Sequence, residues 1–173
     1  SYSIFNVVKK EFNIDLNKAD FFAGHSLGEY SALSCAGYIK FSDTLKVLKL
    51  RGDAMQNAVP KGIGGMIAIL ATTIKKVENI IFSNKKNFNV QIANDNSEGQ
   101  IVVSGKLKDL DIFAEILKSQ GIRNIKLPVS APFHCKLMSE ATKIMRDEIN
   151  KIEFNKGYNV LMSNVTADSI KNI

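Results

Sequence analysis

Residues 19–39 read ADFFAGHSLGEYSALSCAGYI, in which a short apolar run, FFAG, leads into the pentapeptide GHSLG at residues 24–28 and then into a helix-like stretch. The pattern G-x-S-x-G is typical of an abrupt turn from a strand into a helix, with the serine exposed on a strained backbone. We expect both glycines to lie too close to neighbouring backbone for a Cβ. We interpret Ser26 as a nucleophile; the alternative is an incidental serine between two glycines.

A serine hydroxyl needs a base to take its proton, and the chain has two histidines, His25 and His134. His25 adjoins Ser26 on the tight turn, so its side chain is expected to diverge from the hydroxyl and to support the loop. His134 follows Pro128 and Pro132, which predict an ordered, non-helical loop of the kind that often carries catalytic residues. We therefore expect His134 to be the base; a structural histidine is the alternative.

Arg51 is the third candidate site residue. On a predicted helix it follows Leu48 by three residues and precedes Met55 by four, so it shares a side with apolar positions. A charge that faces inward needs an anionic partner. Only three of the 23 basic residues are arginines, so an arginine here indicates planar, bidentate recognition of a carboxylate. A structural ion pair with an internal Asp or Glu is equally compatible with the helix.

Periodicity and capping signals predict the elements on both sides of the motif. A helix is expected over 4–12, a strand at FFAG, and a helix from Ser26 that stops near Gly37. The next helix runs to about residue 58, with Ser42 as its N-cap and Asp43 in its first turn.

From residue 63 to residue 129 the pattern changes to βαββαβ, the split ferredoxin-like order. The predicted elements are strand GGMIAIL, a helix capped by Thr72 or Thr73, strand FNVQIAN, turn NDNSEG, strand QIVVSG, helix LKDLDIFAEILKSQG closed by Gly121, and strand IRNIKLPV. We interpret residues 61–129 as a small subdomain inserted into a large α/β body formed by 1–60 and 130–173. The body has two recognisable strands, FFAG and YNVLMSNVTA, and a helix HCKLMSEATKIMRDEINKI.

Composition excludes several classes of protein. The net charge of +6 comes from scattered lysines rather than from a basic cluster interleaved with aromatics, which argues against nucleic-acid binding. No apolar run approaches the roughly 18 residues of a membrane span and no signal-peptide pattern is present, so we expect a cytoplasmic protein, with an organelle lumen as the alternative. Cys35 and Cys135 do not form a metal-type pair, so no metal site is expected.

Four separated motifs occur together in one order: GHSLGEYSAL, LRGDAMQNAVPKGIGGMIAIL, IANDNSEGQIVVSG and SAPFHCKLM. In this order they resemble the malonyl-CoA:acyl carrier protein transacylases of fatty acid synthesis and the acyltransferase domains of polyketide synthases. The resemblance covers nearly the whole chain. It implies an α/β-hydrolase-like large body, an inserted ferredoxin-like small lobe, and an active site between the lobes.

The resemblance also implies a two-step transfer. Ser26 would attack the malonyl thioester of coenzyme A with His134 as general base, while the Leu27 N–H stabilises the oxyanion and Arg51 grips the malonyl carboxylate. The phosphopantetheine thiol of acyl carrier protein would then attack the malonyl-serine ester, with His134 deprotonating the thiol.

Further implications of the resemblance concern the pocket and the partners. Phe133 would exclude a methyl branch beside the thioester, and Met55 would be a second pocket residue. The partners would be malonyl-CoA and acyl carrier protein, with no cofactor other than the coenzyme A thioester as substrate, and the protein would be a monomer. The family takes a second oxyanion donor and a carbonyl that orients the histidine from segments that flank those present here, so we expect this chain to be part of a longer protein.

Two other classes of function remain open. A serine hydrolase or thioesterase would use the same turn, although no acidic residue stands out as a partner for His134. A non-catalytic module that binds an acidic carrier protein would also be compatible with the charge of +6.

Overall fold

A computed structural model of the protein describes residues 1–170, which form two compact units. Among the described residues, the first unit comprises Ser1–Arg51 and residues 146–170, and the second comprises Gly52–Met145. The predicted subdomain of residues 61–129 falls within the second unit, and its boundaries stay a prediction. The last three residues of the predicted segment 130–173 lie outside the described residues. Helices and strands occur in both units, so the fold is mixed α/β.

The first unit contains a sheet of three short strands: β1 (Phe21–Phe22), β6 (Val160–Met162) and β7 (Ser169–Ile170). Strand β1 runs parallel to β6, and β6 runs antiparallel to β7. Asn159 ties the parallel pair together, because its side-chain amide donates to the carbonyls of Asn17, at 2.8 Å, and of Ala19. The prediction of two strands missed β7, since two residues carry no alternating pattern.

Helices α1 (Tyr2–Glu11) and α2 (Leu27–Cys35) belong to the first unit, whereas α3 (Phe41–Asn57) and α6 (Ser139–Ile149) each begin in one unit and end in the other. The ring of Tyr2 stacks on Phe41 with centroids 4.1 Å apart, so α1 packs against the start of α3. Ser42 is wrong as an N-cap: α3 already begins at Phe41, and the Lys40 carbonyl accepts the N–H of Thr44 at 3.0 Å. No helix within residues 1–170 is long and apolar enough to cross a bilayer.

The second unit has a four-stranded antiparallel sheet in the order β3-β4-β2-β5. Its elements follow one another as βαββαβ: β2 (Gly64–Leu70), α4 (Ile74–Ser83), β3 (Val90–Ser97), β4 (Gln100–Lys106), α5 (Leu107–Ser119) and β5 (Asn124–Lys126). The predicted element order is therefore confirmed.

Alternation along β2 divides the apolar side chains of this unit between two faces of the sheet. Ile67 and Ile69 point toward the helices, where they pack with the apolar residues of α4 and α5. Met66 and Ala68 point to the opposite face. That second face is covered by residues that follow β5, namely Leu127, Val129 and Phe133.

Two local predictions in this unit hold. Thr73 caps α4, because its Oγ accepts the N–H of Lys76 at 3.3 Å. Gly121, with φ of 68°, follows the last turn of α5 in the left-handed region that glycine tolerates.

Three others are wrong in their bounds. Strand β3 continues to Ser97, so only residues 98 and 99 turn the hairpin instead of the whole of NDNSEG. Strand β5 covers 124–126 rather than 122–129. The helix predicted from His134 begins as a 3₁₀ turn at Lys136–Met138 and becomes α-helical at Ser139. In each case strand pairing or a backbone turn overrides the local pattern.

Candidate active site

Ser26 lies at the turn between β1 and α2. Its φ of 53° and ψ of −107° place a non-glycine residue in a region that costs about 1–3 kcal/mol. Helix α2 begins at the next residue; the N–H of Gly28 donates to the His25 carbonyl at 2.8 Å, and the N–H of Glu29 donates to the Ser26 carbonyl at 3.2 Å. This is the strand, strained serine and helix that G-x-S-x-G predicts.

The two glycines of the motif have different roles. A Cβ on Gly24 would lie 2.0 Å from the carbonyl carbon and oxygen of Gly28, so this close approach requires glycine. A Cβ on Gly28 would have no heavy atom of the described residues within 4 Å. The expectation of a close approach is confirmed for Gly24 and wrong for Gly28.

Alanine substitutions at these glycines form a matched pair. We expect Gly24→Ala to lower the free energy of unfolding by about 1–3 kcal/mol or more, because backbone must move to admit the methyl group. Gly28→Ala should leave stability unchanged or raise it by up to about 1 kcal/mol, since alanine favours a helix. Urea denaturation of both variants measures the difference. Equal destabilisation by the two substitutions would contradict this account.

Arg51 contacts Ser26 within the first unit. Its Nη2 donates a hydrogen bond of 2.8 Å to Ser26 Oγ, and the centre of its guanidinium lies 5.8 Å from the centre of the Tyr30 ring. The Oγ of Ser26 makes no capping hydrogen bond with α2. Within residues 1–170, no carboxylate forms an ion pair with Arg51, so the structure does not show the structural ion pair that was the alternative.

Tyr30 is a neutral neighbour for that guanidinium. Burial raises the pKa of Tyr30 above its ordinary value, the positive charge of Arg51 opposes this rise, and the Glu29 carboxylate adds to it. The phenol is therefore protonated at neutral pH and does not neutralise Arg51. The aromatic face of Tyr30 stabilises the guanidinium and leaves its positive charge available to an anion.

Leu27 provides a backbone N–H beside Ser26. As the first residue of α2, it has no acceptor for this N–H within the helix, and the positive end of the helix dipole lies there. Its side chain is half exposed. A donor in this position is suited to stabilise negative charge that develops next to Ser26.

His134 lies in the second unit, in a loop that side chains anchor to the sheet. Pro132 is fully buried against the start of β2, where a Cβ on Gly64 would lie 2.4 Å from Pro132 Cγ. Phe133 packs on the sheet face opposite the helices, and Ser130 Oγ donates to Gln56 Oε1 at 2.7 Å. The loop is therefore held to the sheet by Pro132 and Phe133 and to helix α3 by Ser130.

The backbone at His134 is itself strained, with φ of 58°. Directly after it, the Cys135 thiol donates to the Pro132 carbonyl at 3.2 Å, and the N–H of Lys136 donates to Gln91 Oε1 at 2.7 Å. These contacts hold the backbone around His134 in place, and the side chain of His134 is exposed. Strained backbone of this kind is often found at functional sites.

The structure thus brings together two of the predicted site residues, Ser26 and Arg51. The pairing of His134 with Ser26 stays a prediction, as do the pocket roles of Phe133 and Met55. Both of these side chains are half-buried. Among residues 1–170, no group of three or more His, Cys, Asp or Glu side chains is arranged to hold a metal ion.

Sequence reasoning missed Asn164. Its side-chain Oδ1 accepts the N–H of Ser26 at 2.7 Å, and its own N–H donates to Glu29 Oε1 at 3.0 Å. Asn164 and Ser26 are 138 residues apart, so no local signal connects them. Glu29 did carry a signal, because S-x-x-E at a helix start is the pattern of a capping box.

Comparison with known proteins places these features in a family. The model of the acyl transferase domain family matches residues 17–170. The malonyl CoA-acyl carrier protein transacylase of Bacillus subtilis is 40% identical over 151 residues, which are 86% of this chain and 48% of that protein. The chain therefore spans about half the length of this curated relative.

Solved structures show the same similarity. The malonyl CoA-acyl carrier protein transacylase of Clostridium perfringens has a TM-score of 0.90 and 43% identity, covering 98% of this chain and 52% of that one. A malonyl-transacylase in complex with its type II polyketide synthase acyl-carrier protein has a TM-score of 0.89 and 33% identity, covering 98% and 54%.

Proposed function

Because the chain belongs to the acyl transferase domain family, we propose that it acts as a malonyl-CoA:acyl carrier protein transacylase in fatty acid synthesis. It transfers a malonyl group to the phosphopantetheine thiol of the carrier through a malonyl-serine intermediate. The observation that carries the proposal is the 2.8 Å contact between Arg51 Nη2 and Ser26 Oγ.

That contact selects a class of substrate. In a malonyl thioester a single methylene separates the carboxylate from the carbonyl carbon that a nucleophile attacks. A cation beside the nucleophile therefore matches a short acyl group with a carboxylate near its thioester. A long unbranched acyl chain would instead place apolar carbons against the guanidinium, and no new interaction would offset the cost of desolvating the charge.

In the first half-reaction, Ser26 Oγ attacks the thioester carbonyl while His134 takes the hydroxyl proton. The tetrahedral oxyanion receives a hydrogen bond from the Leu27 N–H, and Arg51 holds the malonyl carboxylate with two parallel N–H donors. The carbon–sulfur bond then breaks, and the coenzyme A thiolate takes the proton from His134. The product is malonyl-Ser26.

The second half-reaction repeats these steps in reverse with a different thiol. The carrier thiol gives its proton to His134 and attacks the ester carbonyl of malonyl-Ser26. The carbon–oxygen bond to serine breaks, and Ser26 Oγ recovers the proton. Besides the two thiols and the acyl carbon, these steps use only groups of this chain, so the proposed reaction needs no cofactor.

Several finer assignments belong to the same proposal. Phe133 and Met55 line the acyl pocket, with Phe133 excluding a methyl branch. The first unit corresponds to an α/β-hydrolase-like body and the second unit contains a ferredoxin-like lobe, which the βαββαβ order and the strand order β3-β4-β2-β5 support. The protein works as a cytoplasmic monomer on malonyl-CoA and an acidic carrier protein.

A partition assay tests the proposal against hydrolysis. We expect incubation with malonyl-CoA and phosphopantetheinylated carrier protein to yield malonyl-carrier faster than free malonate, because the ester is released by a thiol. Intact-mass analysis of the carrier and chromatography of malonate give the two rates. Release of malonate at a rate above transfer would favour the serine hydrolase, and carrier binding with no product would favour a non-catalytic module.

His134→Ala belongs in the same assay. Loss of a general base should slow transfer by about 10²–10⁴-fold. Because His134 is exposed, the urea midpoint should stay close to that of the wild type. Transfer at an undiminished rate would remove His134 from the mechanism.

A further inference from the structure

The start of α2 carries a pattern that its own side chains do not complete. In a capping box, S-x-x-E, the serine Oγ accepts the N–H of the glutamate and the glutamate carboxylate accepts the N–H of the serine. Residues 26–29 read SLGE, with Ser26 in the N-cap position. Yet Ser26 makes no side-chain cap hydrogen bond.

Asn164 replaces the hydrogen bond between the Ser26 N–H and the Glu29 carboxylate that a capping box would contain. Its Oδ1 accepts the Ser26 N–H at 2.7 Å, and its backbone N–H donates to Glu29 Oε1 at 3.0 Å. Asn164 thus stands between the Ser26 N–H and the Glu29 carboxylate, which would bond to each other in a capping box. Each of them keeps a hydrogen bond, so neither gains by returning to the local box.

The insertion has a consequence for the nucleophile. An ordinary N-cap serine has an extended backbone and uses its hydroxyl to cap the helix. Ser26 instead has φ of 53°, and its Oγ lies 2.8 Å from Arg51 Nη2. Without the Asn164 acceptor, relaxation of Ser26 into the capping box would relieve the strained φ and engage the hydroxyl with the Glu29 N–H.

The turn that carries Asn164 is shaped to hold it in place. The Ser163 hydroxyl accepts the N–H groups of Val165 and Thr166, both at 3.2 Å, and the N–H of Ser163 donates to the Asp168 carbonyl at 2.8 Å. The backbone between β6 and β7 is thereby fixed on either side of Asn164.

We propose that Asn164 is a positioning residue which diverts Ser26 from a helix-capping role and holds its hydroxyl for acylation. The role rests on the proposed function, because acylation of Ser26 is the step that it supports. Asn164 acts through the Ser26 N–H and does not touch the substrate.

Three variants test this role. Asn164→Leu keeps the approximate shape but removes the acceptor, Asn164→Asp keeps an acceptor oxygen, and Val165→Ala, next to it in the same turn, is the matched control. We expect Asn164→Leu to slow formation of the malonyl adduct by about tenfold, as loss of one hydrogen bond of ordinary strength allows. Asn164→Asp should recover most of the rate, and Val165→Ala should match the wild type.

A second measurement reports the hydrogen bond itself. Amide hydrogen exchange at Ser26, followed by NMR in protein labelled with ¹⁵N-serine, should be about tenfold faster in Asn164→Leu than in the wild type. Unchanged exchange, or a changed exchange with an unchanged rate of acylation, would overturn the positioning role. An equal loss of rate in Val165→Ala would assign the effect to the turn as a whole and also overturn the role.

The test stays decisive if the proposed function is wrong. A wild-type protein that forms no malonyl adduct contradicts the transacylase. The rate at which a fluorophosphonate modifies Ser26 needs no malonyl recognition, so the same three variants can be compared with that reagent. Equal phosphonylation rates in Asn164→Leu and the wild type would then reject the role of Asn164.

Discussion

Ser26→Ala is expected to abolish covalent uptake of malonyl from malonyl-CoA. The hydroxyl is the only group at the turn that the proposed mechanism acylates, so its removal should lower the rate of transfer by about 10⁴–10⁶-fold, as loss of a covalent nucleophile does. Intact-protein mass spectrometry within seconds of mixing should show an adduct on the wild type and none on the variant. Peptide mapping should place the wild-type adduct on Ser26.

Ser31→Ala is the control for this experiment, because it removes a hydroxyl five residues later, in the same helix α2. It should retain the adduct and the transfer rate. Ser26→Ala should also keep the fold, and removal of the side chain does not disturb the Ser26 N–H that Asn164 binds. An adduct that persists in Ser26→Ala would mean that another group carries the acyl chain.

Arg51→Ala should change which acyl group is transferred. Without the guanidinium, a malonyl carboxylate beside Ser26 has no cation, and removal of one partner of a desolvated ion pair costs about 3–5 kcal/mol, or at least about 10²-fold in kcat/KM. Acetyl transfer does not need that charge and should be retained or increased. Parallel assays with malonyl-CoA and acetyl-CoA give the ratio.

Two further substitutions separate charge from geometry. Arg51→Lys keeps a cation but loses the planar fork, so malonyl transfer should fall between those of the wild type and Arg51→Ala. Lys46→Ala removes an exposed cation from the same helix α3 and should leave the selectivity unchanged, since its partner is the surface residue Asp43. An unaltered ratio of malonyl to acetyl transfer in Arg51→Ala would exclude the carboxylate role.

Local patterns predicted much of the fold because they carry their own physical cause. The βαββαβ order follows from strands that alternate apolar side chains and from helices whose apolar residues recur with the helical period. Thr73 and Gly121 mark helix ends through hydrogen bonding and a positive φ, which the residue type alone favours. The bounds of the elements were less predictable. Residues 95–97 belong to β3 because they pair with β4, and their own strand propensity does not predict this.

In the candidate site, too, local patterns predicted some features and only the tertiary structure decided others. Ser26, with glycine at position 24, was predictable because a strand-to-helix turn with a strained serine demands those residue types, and Arg51 because an arginine on an apolar helix side requires an anion. The sequence alone thus predicted Ser26 as nucleophile, His134 as base and Arg51 as a cation for a carboxylate, and these roles stay predictions. Only the tertiary structure decided that Arg51 Nη2 reaches Ser26 Oγ, that Gly28 has open space, and that Asn164 takes the Ser26 N–H from Glu29. These contacts join residues as far as 138 positions apart, and their geometry depends on how β1, β6 and the helices pack, which no local pattern encodes.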